Sequence, residues 1–166
     1  MSHFPDDILA LARGIVSDFA AKGRMVATAE SCTGGLIAGA LTDIPGSSAV
    51  VDRGFVTYTN TAKMEMLGVQ EQTLVQFGAV SKETALQMVH GALFRSHADF
   101  AVAVTGIAGP GGGSTDKPVG LVHLAAKART GGLIHREMRY GDIGRDKVRL
   151  ATVQTALEML ISLDQT

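Results

Sequence analysis

An α/β fold, with helices on both faces of a mixed, mostly parallel β-sheet, follows from three features of the sequence. Short runs of small or β-branched apolar residues alternate with segments whose apolar residues recur every three or four positions. Phe100-Ala101-Val102-Ala103-Val104 is apolar without alternation, as expected of a strand covered on both faces. Val119 to Ala126 and Leu133 to Tyr140 flank Lys127-Ala128-Arg129-Thr130-Gly131-Gly132, which signals a C-terminal hairpin. Together these predict a three-layer α/β/α sandwich formed by a single domain over residues 1–166, with no linker, repeat or low-complexity segment.

Pro5, Asp6 and Asp7 open a helix, because proline tolerates the first turn and acids favour the positive end of the dipole. Ile8, Leu11, Ala12, Ile15 and Phe19 form its apolar stripe, and Gly23 marks its end. A strand is expected at about 24–29 and a helix at about 34–42, followed by a loop from Asp43 to Ser48. Ala49-Val50-Val51 and Phe55-Val56-Thr57-Tyr58 predict a second strand bending at Gly54. Thr59 or Asn60 caps a short helix that Gly68 stops, a further short helix covers about 71–77, and Ser81 caps a longer one. Thr105 to Lys117 is too rich in glycine for an element interior and reads as a loop at the end of a central strand. The last helix, about Asp146 to Leu163, carries two apolar stripes, so it is buried on both sides, inside the fold or against another subunit. A homodimer or larger homo-oligomer is expected on that ground.

Fifteen Lys and Arg against sixteen Asp and Glu give a net charge of -1, and no basic stripe is interleaved with aromatics. With no Trp and six Phe plus two Tyr, base-stacking platforms are poorly supplied, and no nucleic-acid partner is expected. The single cysteine, Cys32, excludes an internal disulfide and any cysteine-rich zinc site, and fits a reducing compartment. The acidic first residues lack signal-peptide order, and no apolar run approaches the roughly 20 residues that span a bilayer. A soluble cytoplasmic protein without a membrane partner is the expectation.

The stretch Ala27 to Gly35 passes from strand to helix across hydroxyls and glycine, placing main-chain N–H groups beside Ser31, Cys32 and Thr33. Such a turn suits an anion or a nucleophile, and equally an ordinary hydroxyl cap. A serine nucleophile needs a base. The five histidines sit in the N-terminal tail, on or after a helix, or in hairpin strands, and offer no Ser-His-Asp arrangement. Lys63, in the first turn of a helix after the second strand, is an alternative base, with Tyr58 as relay or orienting group; solvated lysine and half-buried tyrosine are the ordinary readings. Lowering a lysine from its ordinary pKa near 10.4 to about 7 costs roughly 4–5 kcal/mol, which takes burial as well as a helix dipole. Thr105 to Ser114 suits a phosphate or oxyanion cradle, or a flexible surface loop, but is no P-loop, since no Gly-Lys-Ser/Thr follows. Arg145 and Arg149 open the last helix against the dipole preference, as arginines meeting an anion would. No His or carboxylate cluster has metal-ligand spacing, and Cys32 reads as a packing residue rather than a nucleophile.

Four motifs in order resemble the CinA carboxy-terminal domain family over roughly residues 8–163: Ala29 to Gly35; Val56 to Lys63 with Leu67-Gly68-Val69; Gly78 to Ser81; and Thr105 to Pro110 with Lys117 to Gly120. The family's characterised enzymes are nicotinamide mononucleotide amidohydrolases. The resemblance implies cofactor-independent hydrolysis of the carboxamide of a pyridine mononucleotide, releasing ammonia. It implies Ser31 as nucleophile, Lys63 and Tyr58 as base and relay, and Thr33, Gly34, Thr105, Gly106 and Arg145 as holders of oxyanion and phosphate. Longer members carry an additional N-terminal domain that this chain lacks, so a pyrophosphatase activity located there is not expected. The family's glycine-aspartate-arginine opening of the last helix is spread here over Gly141-Asp142-Ile143-Gly144-Arg145. A non-catalytic nucleotide-binding module, or an interaction module in competence or damage response, is the alternative reading.

Overall fold

The computed structural model describes residues 1–165. Its elements run α1 (Asp6–Ala21), β1 (Val26–Glu30), α2 (Leu36–Thr42), a single 3-10 turn (Ser47–Ala49), β2 (Val51–Val56), α3 (Asn60–Leu67), α4 (Glu71–Phe77), α5 (Lys82–Phe94), β3 (Phe100–Gly106), β4 (Leu121–Ala128), β5 (Leu133–Arg139) and α6 (Arg145–Asp164). The sheet order is β2-β1-β3-β4-β5. β1 pairs in parallel with β2 and β3, while β4 is antiparallel to both β3 and β5, so four of the five strands point the same way.

The sheet has two unlike faces. Val26, Val102, Val104, Val122 and Leu124 pack with α1, α2 and α6 in a core of large aliphatic side chains, joined by Phe19 against Phe100 at 5.1 Å. Ala27, Ala29, Ala101, Ala103 and Ala125 face α5 and its neighbours. Methyl side chains let α5 lie close to the sheet, and Gly91 on α5 lets α3 come closer still: a Cβ there would stand 1.9 Å from the Leu67 carbonyl oxygen. Helix α6 buries Val148, Val153, Leu157 and Leu160 within this chain, packing against α1, α2 and the sheet. Of its two apolar stripes, Val148, Val153, Thr155, Leu157 and Met159 are buried within this chain, whereas Leu150, Ala151 and Ile161 are only partly buried.

Thr59 caps α3 by accepting from the Ala62 N–H, and Ser81 caps α5 by accepting from Thr84. Strand β2 is continuous, and its irregularity falls at Asp52, where pairing with β1 skips from Val51 to Arg53, rather than at Gly54. Gly54 instead answers a close approach, since a Cβ would meet Thr28 Oγ1 at 2.8 Å. Strand β3 runs through Thr105 to Gly106 before the glycine-rich loop begins. Among the described residues no helix is long and apolar enough to cross a membrane.

Candidate active site

Three parallel strands end together: Glu30 closes β1 and lies beside Val56 of β2 and Val104 of β3. Open α/β sheets place ligands at this edge. The Ser31 N–H donates to the Val104 carbonyl at 3.1 Å, which ties the residue after β1 to the central strand. The chain then turns through Gly34 (φ +58°) and Gly35 (φ +106°), left-handed conformations that favour glycine, and enters α2. Glu30, 1% exposed, turns under this bend. Its carboxylate accepts from Thr33 Oγ1 at 2.6 Å and from the Ile37 and Ala38 N–H groups at 2.9 and 3.0 Å, filling the role of an N-cap for α2.

Lys63 reaches the same point from α3. Also 1% exposed, its Nζ lies 2.9 Å from Ser31 Oγ, 3.0 Å from the Thr57 carbonyl oxygen and 3.3 Å from that of Tyr58. Burial lowers the Lys63 pKa from its ordinary value, the neighbouring Cys32 acting to a lesser degree in the opposite sense. All three partners can accept from Nζ; as a neutral amine, Nζ would donate to the two carbonyls and turn its lone pair to the serine hydroxyl. Cys32 is buried and its thiol pKa is pushed up to about 11, mainly by desolvation, which favours the thiol over the thiolate at neutral pH.

Ser31, Lys63, Tyr58, Thr105, Gly106 and Arg145 line one cavity of about 270 Å³, together with Asn60, Val80, Ile107 and the loop from Ala108 to Gly112. The Thr105 hydroxyl donates to the Ala79 carbonyl at 2.8 Å and fixes that wall. Gly106 is required by crowding, since a Cβ would stand 2.6 Å from Val122 Cγ2. Arg145 donates to the Gly109 carbonyl and to the Tyr58 hydroxyl, both at 2.8 Å, bridging the glycine-rich loop to the far wall.

Two expected binding residues lie elsewhere. Thr33 is wholly buried with its hydroxyl on Glu30, and Gly34 sits in the bend behind Ser31, so neither lines the cavity. Tyr58 lines it differently from a relay: its phenol is half exposed and held by Arg145, and its contact with Lys63 is through the main chain. Sequence reasoning missed Glu30 as the support of the bend. It also read Arg149, with Arg145, as an arginine meeting an anion, whereas its guanidinium donates to the Cys32 and Thr33 carbonyls at 3.1 Å each. The doubled arginines opening α6 were the available signal for the second. Among the described residues, no group of three or more His, Cys, Asp or Glu is placed to hold a metal ion.

Four stretches, together with Arg145 of α6, thus converge on one cavity: Ser31 and Cys32, Tyr58 to Lys63, Ala79 and Val80, and Thr105 to Gly112. The CinA C-terminal domain family matches residues 9–163. This chain belongs to that family. The nicotinamide-nucleotide amidohydrolase PncC of Escherichia coli (strain K12) is 50% identical over 155 residues, 93% of each chain. The protein of the same name from Enterobacter agglomerans is 53% identical over 146 residues, 85% of this chain and 88% of that one. Among solved structures, the competence/damage inducible protein CihA from Agrobacterium tumefaciens superposes with a TM-score of 0.98 at 74% identity, covering 99% of each chain. The pocket of this family member is therefore built from the stretches that carry its family motifs.

Proposed function

We propose that the protein hydrolyses the carboxamide of nicotinamide mononucleotide to nicotinic acid mononucleotide and ammonia, with Ser31 as nucleophile and Lys63 as general base. The observation that carries this reading is the 2.9 Å approach of a buried lysine amine to a serine hydroxyl, the amine's other two partners being carbonyls that have no proton to give. The amidohydrolase names of the E. coli and Enterobacter relatives supply the substrate.

In acylation, the Ser31 proton passes to Lys63 as Oγ bonds to the carboxamide carbon, and the carbonyl oxygen takes the negative charge. The Lys63 ammonium protonates the amide nitrogen, the C–N bond breaks and ammonia leaves an ester on Ser31. Water then attacks that ester, giving its proton to Lys63. Collapse returns the proton to Ser31 Oγ and releases the acid. Main-chain N–H groups at the Ser31 bend and in the glycine-rich loop are assigned to the oxyanion charge. Arg145, a cation at the cavity wall, is assigned to the nucleotide phosphate, with Tyr58 holding its guanidinium.

A binding module has no need of a desolvated base against a hydroxyl, which favours the enzyme over the nucleotide-binding alternative. Ammonia release from nicotinamide mononucleotide by EDTA-treated protein tests the reading. Turnover is expected, with kcat reduced by about 10⁴-fold or more in Ser31→Ala; a variant as active as the wild type removes Ser31 from the mechanism.

A further inference from the structure

We propose that Arg149 is a positioning residue for this reaction, acting through the main chain of the Ser31 bend; the inference rests on the amidase reading above. Arg145 and Arg149 stand one turn apart on α6 and so share a helix face. Arg145 goes to the cavity wall. Arg149 goes behind the nucleophile, its Nε donating to the Cys32 carbonyl and a terminal nitrogen to the Thr33 carbonyl.

Peptide planarity makes these contacts directional. In a trans peptide the C=O and N–H point to opposite sides, so a guanidinium on the Cys32 carbonyl turns the Thr33 N–H away from Arg149. That N–H has no acceptor among the described residues. A guanidinium on the Thr33 carbonyl likewise aims the Gly34 N–H, which donates to the Ser31 carbonyl at 3.0 Å. Fixing the Ser31 carbonyl in turn fixes the Cys32 N–H. One side chain thereby holds three successive peptide planes immediately after the nucleophile, and with them the Cys32 and Thr33 N–H groups.

Arg149 forms no ion pair among the described residues, so its charge falls on the carbonyl ends of these peptides. Polarised in that sense, their N–H ends are better donors to an oxyanion. Two acceptors 3.1 Å from two nitrogens of one fork also suit arginine and not lysine, whose ammonium is a single point.

The test compares wild type, Arg149→Ala, Arg149→Lys and Ser31→Ala in steady-state ammonia release and in amide hydrogen exchange. Both Arg149 variants are expected to lose about 100-fold in kcat, with KM within roughly threefold of wild type. Added guanidinium ion at millimolar concentration is expected to restore at least tenfold to Arg149→Ala and nothing to Ser31→Ala. Amides of residues 32–34 should exchange at least tenfold faster in Arg149→Ala, with β1 and α2 unchanged. A kcat within threefold of wild type, a loss without rescue, or unaltered exchange at 32–34 overturns the proposal. Absence of turnover in the wild type would instead overturn the amidase reading, and the exchange measurement would still decide whether Arg149 holds the bend.

Discussion

The two β-to-α crossovers that meet at the cavity bury one carboxyl and one amine respectively, and surround them in opposite ways. Glu30, after β1, is met by three donors: a hydroxyl and two main-chain N–H groups of the following helix. Lys63, after β2, is met by two carbonyls and a hydroxyl, with no carboxylate in contact. A buried polar group met by donors and acceptors of the right kind supports structure, whereas burial of an amine without a counter-charge favours its neutral form. The difference separates a residue that holds the Ser31 bend in place from the one proposed to exchange a proton with it.

Of the two buried groups, Lys63, the proposed base, should give the larger effect on replacement. Lys63→Met is expected to lower kcat/KM by roughly 10²–10⁴-fold, read by ammonia release. Its stability should respond to pH in a defined sense. Because burial lowers the Lys63 pKa in the folded state, the unfolded chain binds more protons between that pKa and about 10.4, and wild-type stability gains as pH rises through this window. The methionine variant lacks that gain. Its melting temperature relative to wild type should be most favourable near pH 7 and should decline toward pH 10; a pH-independent difference would mean that Lys63 is not held neutral.

Glu30→Gln should reverse the pattern. One amide oxygen cannot serve all three donors, and the NH₂ group would face a main-chain N–H. A loss of about 2–4 kcal/mol is expected, lowering Tm by roughly 5–15 °C, while kcat of the folded protein falls by less than about tenfold. A collapse of kcat with little change in Tm would break the distinction between the two crossovers. Smallest of all, Tyr58→Phe removes one half-exposed hydrogen bond to Arg145. It should change kcat/KM by less than about tenfold, mostly through KM, because the phenol steadies Arg145 without touching Lys63; a loss comparable to Lys63→Met would restore Tyr58 as a proton relay.

Element order was legible because period and punctuation agreed: Thr59 and Ser81 cap where their hydroxyls precede helical patterns, and Gly68 ends α3 at φ +71°. The arrival of Ser31, Tyr58 and Thr105 at one edge followed from reading each at the end of a strand. The Ser31–Lys63 contact was not legible from spacing, because 32 residues and a change of strand separate the two, and the family motifs supplied it instead. Glu30 escaped for another reason. A glutamate followed by Ser, Cys and Thr reads as a solvated turn, and only the fold shows that its partners lie seven and eight residues ahead. Gly54 was given a bend because sequence shows a missing side chain but not the Thr28 hydroxyl that fills its place.

The alanine-lined face and Gly91 bear on chemistry they never touch. Helix α3, only eight residues long, carries Lys63, and its far end rests on α5 where a single hydrogen replaces a side chain. The spacing between amine and hydroxyl is thus inherited from a backbone seam on the remote side of the helix. Any enlargement of that seam would push the whole helix, and the distance across which a proton must move would change without a single cavity-lining residue having been altered.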